Sequence, residues 1–329
     1  MSVRSVGAVL ASLKFTLVIF VFFTLSVGVV YFTKGPPAWI LAVPFTLFAV
    51  NLTAAILTNP VFRRQTGLLV FHLGLLGLVL LLAASRLSYL KGHLEVTEGE
   101  AFTGQLTEYE KGPLHPWHLE EARFVQKSFT IDYAPGLNRG RTLSRVEWLD
   151  EKGQAHERIV GDHHPLVLSG YRFYTTHNKG FAPIFVWHPA DGSPPRQGSI
   201  HLPSYPAHEY QQALSWTVPG TRHEIWSLLE FKEVVLDEKR ASTFRPPREH
   251  HLVLRYNDER HVIKAGESLQ FPDGRLHYLG LRAWMGYAVF YDWTTPWLLA
   301  ACVVAVLGLG WHYRQKWAAR PWSGDDEID

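Results

Sequence analysis

One side chain in this 329-residue sequence stands where its chemistry is costly. His72 lies inside the run "TGLLVFHLGLLGLVLLLAAS" at 66–85. An imidazole in hydrocarbon costs roughly a few kcal/mol if it is charged or unpartnered, so an interaction that offsets this cost is expected. Three chemistries would supply one. The first is a hydrogen bond to a neighbouring helix. The second is a protonation switch for ion movement, although the apolar runs hold no Asp or Glu to relay a proton. The third is heme iron, for which imidazole is a standard axial ligand. Gly67, Gly74 and Gly77 offer small surfaces on the same helix, where another helix or a flat ring could approach closely. One imidazole is only half of a bis-histidine site. The other histidine near an apolar run, His312, is followed by Tyr313-Arg314 and reads as an interfacial anchor. A second heme ligand is therefore expected from a partner. His93 is 21 residues beyond His72, about 31 Å along a helix, too far to share a small cofactor with it.

Four elements of one kind must position these groups. Residues 15–32, 37–58, 67–84 and 294–313 are apolar runs without Asp, Glu, Lys or Arg. At 1.5 Å per residue each spans roughly the 30 Å core of a bilayer. The fold class expected is a membrane protein with four transmembrane helices in a 3+1 arrangement and a large extracytoplasmic, mainly-β domain between helices 3 and 4. The expected domains are 1–91, 92–290 and 291–329. The first run is long for a signal peptide, and "TKGPPAW" is a poor cleavage site. Arg4, Lys14, Arg63, Arg64, Arg314, Lys316 and Arg320 flank one side of the helices, against Lys34, Arg86 and Lys91 on the other. This bias predicts an inner-membrane protein with cytoplasmic termini and residues 92–290 on the periplasmic side.

The composition excludes several classes. The net charge is +2 with no dense basic stripe, so nucleic acid is not an expected partner. The single cysteine, Cys302, lies in the last apolar run. The outer domain therefore has no disulfide, and without CxxCH no covalently attached heme. Within 92–290, "SFTIDY" puts Phe129, Ile131 and Tyr133 on one strand face. Hairpins are predicted around Lys152-Gly153 and Asn257-Asp258, and separate strands at "GYRFYTT" and "PIFVWHPADG". Together these imply a sandwich or open barrel. The pairs His163-His164 and His250-His251 point to opposite strand faces and make no ready chelate. Glu95, Glu98 and Glu100 read as solvated groups on a strand edge, and no catalytic site is evident.

Several segments resemble one family. "LASLKFTLVIFV" at 10–21, "FRRQTGLLVFHLGLLGLVLLL" with its His-Leu-Gly, "GHLEVTEGEAF" at 92–102 and "HHPLVLSGYRFYTT" at 163–176 are similar to segments of the ResB (CcsB) family of System II cytochrome c biogenesis. Where that family shows Asp-Pro-Gly before its last helix, this chain has "FYDWTTPWLL", keeping Asp292 and Pro296. The resemblance implies a CcsA-like membrane partner and delivery of non-covalent heme b across the membrane to apocytochrome c. His72 would be the membrane heme ligand holding the iron, in a site shared with the partner. His277, His312 and His93 are further candidate ligands. Any cytochrome c heme-lyase activity would belong to the complex. The departures also allow a heme b-bearing or structural subunit of an electron-transfer complex, or a heme-free membrane-anchored scaffold.

Overall fold

The computed structural model describes residues 3–33, 36–207 and 211–318. Lys34, Arg320 and the tail beyond residue 318 lie outside the described residues, as does the side chain of Arg4. The chain forms two compact units. One comprises residues 1–90, 110–117 and 291–329; the other comprises 91–109 and 118–290.

The first unit holds helices α1 (Val3–Leu10), α2 (Leu13–Phe32), α3 (Trp39–Thr58), α4 (Val61–Arg64), α5 (Thr66–Ser88) and α6 (Thr295–Ala318). Of these α2, α3, α5 and α6 are long and apolar enough to cross a membrane. Ser12 caps α2 by accepting the Phe15 N–H at 3.2 Å. Asp292 opens α6, accepting the Thr294 N–H at 2.9 Å and the Ser85 hydroxyl at 2.9 Å. The residues kept at the family's departing motif thus start the last helix. Phe20 and Phe23 of α2 meet Phe45 and Phe48 of α3 edge-on. The one buried amide of α3, Asn51, donates to the Leu10 carbonyl and accepts from the Thr16 hydroxyl, so its burial is compensated.

The second unit is built on antiparallel sheets. In chain order the strands are β1 (Leu90–Thr97), β2 (Ala101–Phe102), β3 (Glu108–Lys111), β4 (Phe124–Ala134), β5 (Asn138–Leu149), β6 (Ala155–Gly161), β7 (Leu166–Leu168), β8 (Tyr171–Pro189) and β9 (Arg196–Ser199). They continue as β10 (Ala213–Thr217), β11 (Glu224–Glu230), β12 (Ser242–Thr243), β13 (His251–Tyr256), β14 (Glu259–Ile263), β15 (Ser268–Phe271) and β16 (Gly274–Tyr291). Among the described residues these form a seven-stranded sheet ordered β3-β1-β16-β8-β7, with β15 on β16 and β9 on β8. A four-stranded sheet runs β10-β11-β13-β14, and a five-stranded one β12-β4-β5-β6 with β2 on β4.

Among the described residues there are three sheets, not the two of a simple sandwich, and the reason lies in β8. The segments "GYRFYTT" and "PIFVWHPADG" belong to one 19-residue strand. Asn178-Lys179-Gly180 joins them within that strand. In the fold the Trp284 indole lies so close to Gly180 that a Cβ there would sit 2.6 Å from its Nε1, so the chain stays extended. At about 60 Å, β8 is long enough to serve two layers. Its first half sets Phe173 against Phe124 of the five-stranded sheet, while its second half stacks Phe185 on Trp216 of the four-stranded one. The buried trio Phe129, Ile131 and Tyr133 lies on one face of β4 as alternation requires. Asn257 and Asp258, both at positive φ, close β13 onto β14.

Candidate functional site

In the helical unit, α5 carries His72 one and a half turns past its start. The seam of α5 with α6 is made by small residues. A Cβ on Gly67 would lie 2.4 Å from the His312 backbone N, and one on Gly74 2.6 Å from the Ala305 N; one on Gly308 would lie 2.3 Å from the Phe71 N. These glycines admit a helix backbone, not a ring, as small-residue seams in membranes do. His312 is buried in this seam, 7% exposed, and so is not an interfacial anchor. Its neighbours Trp311 and Tyr313 are the exposed aromatics there. Gly67 leaves room for the α6 backbone at His312.

His72 projects about 100° or more around α5 from the seam residues Gly67, Phe71 and Gly74. Its ring is half-buried, with Phe62 edge-on at 4.7 Å and Phe71 at 5.1 Å. Nδ1 lies 2.8 Å from the Leu68 carbonyl oxygen. That oxygen can only accept, so Nδ1 carries a proton, and in the neutral imidazole Nε2 keeps its lone pair. Among the described residues Nε2 has no hydrogen-bond partner. A ligating histidine commonly has this arrangement, its second nitrogen donating to a carbonyl that fixes ring and tautomer. The arrangement can supply one axial ligand beside apolar ring edges. His312, in the seam, is not on the same face and does not complete a pair.

The other two candidates belong to the β unit. His93 on β1 pairs through Nδ1 with Glu108 at 3.0 Å on an exposed surface. His277 on β16 contacts the Ser268 hydroxyl at 2.9 Å, its cross-strand partner. His93 and Gly286 line one cleft. Gly286 is nine residues from His277 along β16, about 30 Å. The two histidines are therefore not brought together. Among the described residues no three His, Cys, Asp or Glu converge as a metal site.

A different cluster, which sequence reading missed, forms in the β unit. Glu95, Glu98 and Glu100 are half-buried and hydrogen-bonded rather than free on a strand edge. β1 is flanked by β3 and β16, and the chain after β9 returns beside it. His201 Nδ1 contacts Glu95 Oε2 at 2.9 Å, and its Nε2 contacts the Thr97 hydroxyl at 2.9 Å. Thr97 touches the Ser199 hydroxyl at 2.9 Å, which donates to Glu100 at 2.9 Å. The His201 ring stacks on Trp284 at 5.3 Å. Glu98 accepts the Phe129 N–H at 3.0 Å. Burial pushes its carboxyl up, against that hydrogen bond and the Arg282 charge. The order carboxylate, imidazole, hydroxyl is that of a nucleophilic triad. Thr97, however, is fully buried and its oxygen already has two neighbours, so it has no approach for a substrate. The chain ties β1 to the segment after β9. Its only sequence trace is the period-2 spacing of Glu95 and Thr97, which shows a shared face but not the partner.

Comparisons with known proteins bear on this architecture. No curated protein matches. Among solved structures one similar chain is the cytochrome c heme lyase CcmF, at 14% identity and a TM-score of 0.26, covering 92% of this chain and 34% of that one. The chain thus spans about a third of that structure's length, and a likeness this distant carries no argument. The model of the ResB-like family matches residues 62–204, from within α4 to just past His201. Over α5 and the first half of the β unit, this chain is similar to the ResB-like family.

Proposed function

We propose that this protein is a membrane subunit of a cytochrome c biogenesis complex, in which His72 supplies one axial ligand to heme b in transit. The observation that carries the reading is the fixed tautomer. Leu68 holds Nδ1–H, leaving the Nε2 lone pair beside Phe62 and Phe71 and outside the α5–α6 seam. An apolar porphyrin edge suits that surface, and a six-coordinate iron would take its other axial ligand from a CcsA-like membrane partner. The ResB-like match over 62–204 supports the assignment to cytochrome c biogenesis. With the termini cytoplasmic, as the Lys/Arg bias suggests, the β unit faces the periplasm and meets apocytochrome c there.

The test is an absorption spectrum of the full-length protein in detergent, oxidised and then dithionite-reduced, with and without the coexpressed partner. A b-type α-band is expected with the partner and is expected to be lost in His72→Ala. An α-band of undiminished intensity in His72→Ala would overturn the assignment of the ligand.

A further inference from the structure

Arg86 is one of three basic residues, with Lys34 and Lys91, that run against the charge bias. It stands on the last turn of α5, at the membrane face that the Lys/Arg count would keep free of basic residues. In the fold it lines a cleft of about 500 Å³ within the helical unit. Val30, near the end of α2, and Ala38 and Leu41, at the start of α3, form the apolar wall; Arg86, Tyr89 and Glu110 form the polar one. The cleft is therefore at the ends of three spans, at headgroup depth. Tyr31, Phe32 and Trp39, on the same helix ends, are all exposed, as aromatics of an interfacial belt are.

The Arg86 guanidinium lies 5.7 Å from the Tyr89 ring centroid. Among the described residues, neither Arg86 nor Glu110 has an ion-pair partner within 4.0 Å. A half-buried arginine and a carboxylate sharing a cleft without pairing leave room for a ligand that carries both opposite charges. The apolar wall asks for a hydrocarbon chain. Tyr89 reports the same field: burial pushes its phenol up, Glu110 adds to this and Arg86 opposes it.

We infer that this cleft binds a zwitterionic phospholipid with a primary ammonium, of the phosphatidylethanolamine kind. The phosphate meets Arg86, the ammonium meets Glu110, and an acyl chain lies along Val30, Ala38 and Leu41. Charge-assisted contacts of this sort discriminate strongly because either charge left without its partner is penalised. The inference does not depend on heme binding.

The experiment reconstitutes the full-length protein in bilayers of equimolar phosphatidylethanolamine and phosphatidylglycerol, then measures the lipids retained after detergent extraction by native mass spectrometry. Wild type is expected to retain phosphatidylethanolamine over phosphatidylglycerol by about tenfold, the size of one charge-assisted contact. Glu110→Gln should bring the two lipids to parity, since phosphatidylglycerol has the same phosphate but a neutral glycerol in place of the ammonium that Glu110 would meet. Arg86→Gln should lower retention of both, with partial recovery in Arg86→Lys. Equal retention of the two lipids by wild type would overturn the inference, as would an unchanged preference in Glu110→Gln. Should a variant fail to fold, the wild-type comparison still decides.

Discussion

The two units treat histidine in opposite ways. In the β unit several imidazoles are held by carboxylates: His201 by Glu95, His251 by Glu230, His156 by Asp150 and His93 by Glu108, at 2.8–3.0 Å. In the helical unit the spans contain no acidic residue, and His72 is held only by a carbonyl one turn back on its own helix. A ring clamped by neighbouring side chains is committed to the fold. A ring oriented by its own backbone keeps one nitrogen for something else. The same contrast runs through the packing. The β unit fills its interior with large aromatic side chains, whereas α5 and α6 meet through glycines.

The largest expected effect breaks the aromatic side of this contrast. Trp284 is 2% exposed, donates to the Leu202 carbonyl at 2.9 Å, stacks on His201 and closes over Gly180. Trp284→Ala should destabilise the β unit by about 3–5 kcal/mol, read from denaturant unfolding by circular dichroism. A loss under about 1 kcal/mol would show that the neighbouring layers refill the site.

Next in size is a charge buried among those rings. Lys179 is 3% exposed, its ammonium 4.8 Å from the Tyr133 ring centroid and 5.5 Å from that of Phe244. Burial first, then the Arg139 charge, lowers its pKa to about 8. In the unfolded chain the amine ionises near pH 10.4. Between about pH 8 and 10 the unfolded state therefore binds more protons, so stability rises with pH across that window. Below about pH 8 the lysine is charged in both states and the penalty is full. Lys179→Met should thus gain about 3 kcal/mol at pH 7, with the gain shrinking toward pH 10. A difference between the two proteins that stays flat with pH would refute this account.

The smallest effect probes the glycine seam. Gly74→Val should cost about 1–3 kcal/mol through overpacking against Ala305. Gly77→Ala, whose new methyl would meet the Ala301 Cβ at 3.5 Å, should be tolerated. Thermal unfolding of the two variants in one detergent checks this, and equal stability of both would mean that the seam is not tight.

Much of the fold was legible in the sequence, for local reasons. Twenty apolar residues without a charge are a membrane helix before any packing is considered. Asn257-Asp258 adopts positive φ because short polar side chains tolerate it. The candidate site was half legible. A histidine in hydrocarbon announces itself, but its Nδ1 partner, Leu68, is an ordinary residue of the same helix.

By itself the sequence determined the four apolar helices, the β-rich segment between the third and fourth, the hairpin turns and the exceptional position of His72. All follow from hydropathy, period and backbone preference over a few neighbouring residues. Only the tertiary structure decided that Gly180 lies within one long strand, that Glu95 and Glu100 are the ends of a buried hydrogen-bond chain, and that α6 occupies the glycine face and buries His312. Those outcomes depend on side chains up to a few hundred positions away in sequence. The physical reason is that a small residue or a carboxylate records only what it permits. Whether a glycine bends, extends or admits a helix, and whether a glutamate is solvated or paired, is set by whatever the rest of the chain brings against it.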